Sequence, residues 1–296
     1  MSWETTTATF KILGREQTVL RAGFVMEFYG DERLRDVGLA LFDTLHRWVP
    51  TDRPLFMLGK QGREYKELTS RRLTRLRKTL AALPSEGQFY SVKDAEGLSV
   101  HEYGIELAIS DAMPARVFVN LPLSFVVERE DEAFQSFHDL LDEFPFTCAT
   151  AGYGFNLEWA RAAEQKGQSV AIRTALRYHG LNIRNRAQEM RLGTSLKTAH
   201  WLTFVDDQRL DDSGARDRVD GLADDVTAHP VGGGVLLRAG KSPPVGDINR
   251  KAPDIAPMKA VNDALRPIRI AAWDPATISL FGMDADDANA WVTRMD

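Results

Sequence analysis

Eight aspartates fall within twenty consecutive positions: Asp206, Asp207, Asp211, Asp212, Asp217, Asp220, Asp224 and Asp225. Only Arg209, Arg216 and Arg218 offset them. Carboxylates at this density can ligate a divalent cation or present a negative face to a basic partner. Their spacing does not follow the ligand order of an EF-hand loop, so a metal loop is not indicated. A negative face speeds encounter with a cationic surface and rejects wrong partners more than it adds affinity. Asp206, Asp207, Asp211 and Asp212 are therefore the candidate partner-binding residues, with a plain solvated face as the alternative.

A basic stretch carries Lys60, Arg63, Lys66, Arg71, Arg72, Arg75, Arg77 and Lys78 against Glu64 and Glu67. On a helix over 60–79 these side chains could grip phosphates, which makes a nucleic-acid-binding module one alternative function. The net charge of −5 argues against a general nucleic-acid binder.

No catalytic constellation is visible. The histidines are His46, His101, His138, His179, His200 and His229, and none forms a His-x-x-x-His or His-Glu-x-x-His pair. Cys148 is the single cysteine, so it has no partner for a disulfide or a zinc site. In the apolar run from Phe144 to Ala151 it reads as a small buried hydrophobe rather than a nucleophile. There is no Gly-x-Ser-x-Gly elbow. Gly152-Tyr153-Gly154 lacks the third glycine of a dinucleotide loop. Gly232-Gly233-Gly234 lacks the lysine and hydroxyl of a Walker loop. Both read as turn glycines. No catalytic, cofactor or metal residue is assigned, and an enzyme of unknown type stays only as an alternative.

The elements that must position the charged residues follow from periodicity. Leu20, Ala22, Phe24, Met26 and Phe28 alternate within 19–29, predicting a half-buried strand. Leu34, Val37, Leu41, Leu45 and Trp48 then form one helical stripe, stopped by Pro50. Tyr65, Leu68, Leu76, Leu80 and Leu83 predict a second helix over 63–83. Strand-like runs at 88–92, 100–109 and 116–127 follow, the last two joined through Ser110–Pro114 as a hairpin. A helix over 131–144 ends at Pro145.

The second half reads as a strand at 148–157, a helix over 158–178 with Gly167 as its weak point, and a strand at 200–205. An acidic, partly helical stretch at 206–223 leads to paired strands at 226–231 and 235–239, then a helix over 256–265. Strands clustered between helices indicate an α+β fold, mostly antiparallel sheets with flanking helices. Both halves run strand, helix, strands, helix. A duplicated unit would produce that order, although no residue-level repeat marks one. The expected division is an N-terminal lobe over 1–145, a C-terminal lobe over 146–270 and a loosely attached tail over 271–296. The N-terminus shows neither a basic segment nor an apolar one of signal-peptide type, and no apolar run reaches the length of a membrane span, so the expected location is cytoplasmic and away from membranes.

Five segments then point to a known family: Arg177-Tyr178-His179-Gly180-Leu181-Asn182-Ile183, His200-Trp201-Leu202-Thr203-Phe204, Gly234–Gly240, Pro244–Arg250 and Ala264–Arg269. Their order and spacing resemble the DUF3396 family of type VI immunity proteins. One departure is Leu210-Asp211-Asp212-Ser213-Gly214, where the family tends to carry a glycine pair. The resemblance implies a non-catalytic protein that binds and neutralises a cognate secreted toxin, of nuclease-like type, in the cytoplasm. It implies no cofactor and no direct contact with nucleic acid. Within these motifs, Trp201 is expected to anchor the core, Gly180 to stop a helix, and Asp247 to bond turn amides.

Overall fold

The computed structural model describes all residues except 1, 13, 59–63, 83–87, 98, 110–113, 159–160, 185–191, 193–194, 251–253 and 275–282. The strands are β1 (Thr7–Ile12), β2 (Arg15–Gly30), β3 (Phe56–Leu58), β4 (Tyr65–Glu67), β5 (Gln88–Lys93), β6 (Gly104–Ile109), β7 (Ala115–Leu121), β8 (Phe146–Leu157), β9 (Leu202–Asp206), β10 (Val226–Val231) and β11 (Gly234–Ala239). The helices are α1 (Glu32–Asp36), α2 (Gly38–His46), α3 (Ser70–Ala81), α4 (Glu130–Glu143), α5 (Arg161–Arg177), α6 (Asp207–Ser213), α7 (Arg216–Asp220), α8 (Ala256–Ala264) and α9 (Ala285–Val292).

The strands form one sheet in the order β10-β11-β9-β8-β2-β7-β6-β5-β3-β4, with β1 paired to β2 off this path. Every ladder is antiparallel. With helices flanking the sheet, this is the expected α+β class. The middle of the sheet is the β2–β8 ladder, running from Leu20 opposite Leu157 to Gly30 opposite Phe146. The two halves of the chain are therefore joined by main-chain hydrogen bonds.

Alternation along β2 decides what each face buries. Phe24, Met26 and Phe28 enter a core with Leu41, Phe42, Phe137 and Trp201. Leu20 and Ala22 instead join a second core with Phe155, Leu157, Trp273 and Trp291. On the other face of β2, Glu27 is buried among polar groups, and Tyr29 packs in a third core with Phe118 and Cys148. Lys197 Nζ lies 2.8 Å from Glu27 Oε1, and Asn182 Nδ2 donates to the same oxygen at 3.1 Å. Arg184 reaches Glu106 at 3.4 Å and lies over the Phe118 ring, and Lys93 pairs with Glu158. All six ionic side chains are essentially inaccessible.

Several expectations change, and the single helix expected from Leu34 to Trp48 is divided at Val37 into α1 and α2. The helix anticipated over 63–83 begins only at Ser70, where the Thr69 hydroxyl accepts the Arg72 amide. Residues before it are drawn into the sheet: β4 pairs with β3, and the Tyr65 hydroxyl meets Ser91 at 2.9 Å. The basic stretch is thus divided between strand and helix, and Lys60 and Arg63 lie outside the described residues. Helix α5 runs through Gly167 without a break. There a Cβ would lie 2.6 Å from Leu157, so the glycine permits close packing on the sheet. The end of the chain is docked rather than loose, since Ala288, Trp291 and Val292 of α9 are fully buried. The turn expected over Ser110–Pro114 lies, apart from Pro114, outside the described residues, but β6 and β7 pair as a hairpin would. Among the described residues no helix is long and apolar enough to cross a membrane.

Candidate interaction surface

The four candidate aspartates lie at one end of the sheet, where β9 runs into α6. Their surroundings differ. Asp206 is the N-cap of α6: its Oδ1 accepts the Arg209 amide at 2.9 Å and its Oδ2 holds the Arg209 guanidinium at 2.6 Å. With 8% exposure it is a structural cap. Asp207 and Asp211 are exposed and share Arg216, at 2.7 and 2.8 Å. The two carboxylates raise the Arg216 guanidinium above its ordinary value. Asp212 is exposed and makes no hydrogen bond or ion pair among the described residues.

The last two aspartates of the acidic run do not stay with them. Gly234 pairs with Asp206 at one end of β11, whereas Ala239 at the other end pairs with Val226. Asp224 and Asp225 precede Val226, and the Asp225 carbonyl accepts Gly240 at 3.1 Å. A six-residue strand, roughly 20 Å long, therefore separates Asp225 from Asp207.

Carboxylates from distant parts of the chain take their place. Asp31 caps α1 through the Arg33 amide at 2.9 Å. The Arg33 side chain holds the Asp31 carboxyl below its usual range, and Arg209 adds to the effect from α6. The start of α1 therefore sits beside α6. The C-terminus of α4 closes the group. Gly232, at φ +57°, passes so near the Leu141 carbonyl that any Cβ would overlap it. The next residue, Gly233, accepts the Asp207 amide at 3.0 Å. This β10–β11 turn brings Asp142 and Glu143 to α6. The surface thus gathers Asp31, Asp142, Glu143, Asp207, Asp211 and Asp212 against Arg33, Arg209 and Arg216. Sequence spacing identified three of these carboxylates; the others arrive through sheet pairing.

On α3, Thr69, Arg71, Arg72 and Arg75 line an open hollow of about 460 Å³. Arg72 is anchored through the Glu67 carbonyl at 2.6 Å, and Arg77 through Asp43 at 2.8 Å.

The reactive side chains are not assembled. Cys148 is wholly buried in β8, and burial pushes its thiol up to about 12, so it holds its proton at neutral pH. Burial drives His101 and His200 well below the ordinary histidine value, with nearby cations adding to the effect. Among the described residues no group of three or more histidine, cysteine or acidic side chains could hold a metal.

The family motifs are scaffold. His179 and Gly180 donate their amides to Gly246 and Val245, and a Cβ on Gly180 would overlap the Pro244 carbonyl oxygen. Gly180 therefore serves a close backbone crossing rather than only a helix stop. Asp247 accepts the Asn249 amide at 3.1 Å, and Trp201 is 1% exposed with its indole N–H on the Gly240 carbonyl.

Comparison with known proteins agrees with this scaffold. A solved structure, the Pseudomonas aeruginosa T6SS protein PA0821, superposes with a TM-score of 0.78 at 18% identity, over 95% of this chain and 84% of that one. That likeness shows the fold. No curated protein matches the chain. A family model described as type VI immunity for VRR-NUC matches residues 67–295, a span that contains every motif between Arg177 and Arg269. The chain belongs to this family of type VI immunity proteins.

Proposed function

We propose that this immunity protein neutralises a VRR-NUC-type nuclease toxin in the cytoplasm by occupying it in a stoichiometric complex, without catalysis. The observation that carries the reading is the family match over 67–295. The acidic end supports it physically. A nuclease must attract a polyanion, so its substrate groove is positively charged. A surface with six carboxylates and three guanidiniums is complementary to such a groove. Asp207, Asp211 and Asp212 are its exposed members on α6, and Asp206 shapes the helix that carries them.

The test is titration of toxin cleavage with the purified protein. Cleavage should fall to zero at one equivalent, with co-elution of the two chains. Continued cleavage at saturating protein would remove the proposal. The double reversal Asp211→Lys with Asp212→Lys should slow association at low salt by roughly tenfold, while dissociation changes less. An unchanged association rate would exclude this surface.

The arginine-lined hollow on α3 supports one rival, a direct phosphate-binding role for the basic helix. Retention of DNA or RNA at low salt, abolished by Arg71→Glu with Arg75→Glu, would favour it over toxin occupation.

A further inference from the structure

Fully buried polar groups without partners collect at one place beneath the sheet. Asn120 of β7 is 0% exposed, and neither its amide nitrogen nor its amide oxygen has a hydrogen-bond partner among the described residues. Asn156 of β8 is equally buried. Its Nδ2 donates to the His101 and Glu102 carbonyls, each at 3.2 Å, while its Oδ1 has no partner. His101 is 2% exposed, and both ring nitrogens lack partners.

The ladders place these three side chains together. Gly104 stands opposite Asn120 in the β6–β7 pair, so both face the same side. A Cβ on Gly104 would lie 2.5 Å from His101 Nε2, which puts the imidazole directly over that glycine. Val25 stands opposite Asn120 in the β2–β7 pair, and Gly23 lies two positions along on the same side. A Cβ on Gly23 would lie 2.6 Å from Asn156 Oδ1. Gly23 and Gly104 form a floor without side chains, and the amides and the imidazole converge above it.

The surrounding charges are matched. Lys93 meets Glu158, Arg184 meets Glu106, and Arg21 meets Glu102. An ion would find no net charge to neutralise. The groups without partners are mixed: amide oxygens and one imidazole nitrogen accept, and an amide nitrogen and the other imidazole nitrogen donate. Water is the ligand that supplies donors and acceptors at once. Left dry, this many orphaned groups would consume a large part of a domain's marginal stability. We infer that Asn120, Asn156 and His101 hold a buried cluster of about two water molecules. The site ties the loop that carries His101 and Glu102 to the middle of the sheet. That loop is fixed from its other side by Asp94, which accepts the Glu102 and Tyr103 amides at 2.9 and 3.1 Å.

Water–protein NOE and ROE spectra of the labelled full chain test this directly. Cross-peaks of long-lived water should appear at the Asn120 amide and at the carbon-bound ring protons of His101. Their absence at both positions overturns the inference, whether or not any variant folds. Asn120→Leu, nearly equal in size, gives a second readout. In a hydrated site it displaces the water, strands His101 and Asn156, and lowers Tm by roughly 2–4 °C. In a dry site it removes two orphaned atoms and raises Tm, which would also overturn the inference.

Discussion

Glu27 lies in the central strand with no exposure, and three donors converge on its carboxylate: Lys197, Asn182 and the Tyr29 hydroxyl. A buried charge is tolerated when its partner is present and becomes costly when the partner is removed. Lys197→Met should therefore cost about 3–5 kcal/mol, read by urea unfolding. Pairing it with Glu27→Leu should recover much of that loss. A single-variant cost below roughly 1 kcal/mol would show that the pair behaves like a surface bridge.

Glycine contrasts test backbone approach at the same scale. Gly180→Ala must displace the Pro244 carbonyl, whereas Gly214, at φ +69°, has open space around its Cβ. Gly214→Ala should cost about 1–2 kcal/mol from its left-handed backbone alone, and Gly180→Ala should cost more. The reverse order in thermal melts would refute the crossing as the reason for the motif glycine.

The buried histidines predict an acid response. Both His101 and His200 have folded-state values depressed below 6.5, chiefly by burial. His101 faces Lys93, Arg184 and Arg21, and His200 faces Arg294 and Lys197. Above pH 6.5 each ring is neutral in both states, and its contribution does not vary. Below it the unfolded chain takes up a proton that the folded chain refuses. Stability should then fall by up to about 1.4 kcal/mol per pH unit for each ring. His101→Gln should flatten this slope between pH 6.5 and 5; an unaltered slope would rule His101 out as a source.

At the scale of elements, α9 is a structural closure. The Trp291 indole donates to the Leu181 carbonyl at 3.2 Å, and Arg294 donates to the His179 carbonyl at 2.7 Å. Trp273, Met283, Trp291, Val292 and Met295 are buried, at about 1.5–3 kcal/mol for each large apolar side chain. Ending the chain after Ile270 should remove most of the cooperative melt. A truncated protein that melts within a few degrees of the full chain would show α9 to be dispensable. Helix α6 is the complementary case: Asp206 and Gly214 define its ends, and its exposed face carries charge rather than core.

At the scale of the molecule, the β2–β8 ladder makes the halves interdependent. Residues 1–145 expressed alone would leave β2 without β8 along a row of ladder positions from Leu20 to Gly30. That exposed edge should make the fragment aggregate or remain unfolded. A cooperative melt of the isolated fragment would show instead that the N-terminal half folds by itself.

The sequence by itself determined much of this protein. Alternation from Leu20 to Phe28 specified β2, the Phe134–Leu141 periodicity specified α4, and the strand-like runs 226–231 and 235–239 around Gly232-Gly233-Gly234 specified the β10–β11 hairpin. These are local patterns, in which a side chain's neighbours along the chain decide its environment. The ordered motifs from Arg177 to Arg269 also identified the family. Tyr65 escaped because an apolar residue at helical spacing fits a strand equally well, and pairing with β3 settled it. Only the tertiary structure decided which carboxylates share a surface. Asp207 lies far from Asp225, its near neighbour in sequence, and close to Asp142, because antiparallel register sets distance across a sheet and chain separation does not. The same long-range register brought Glu27 to Lys197 and Asn120 to His101, meetings that no local pattern encodes.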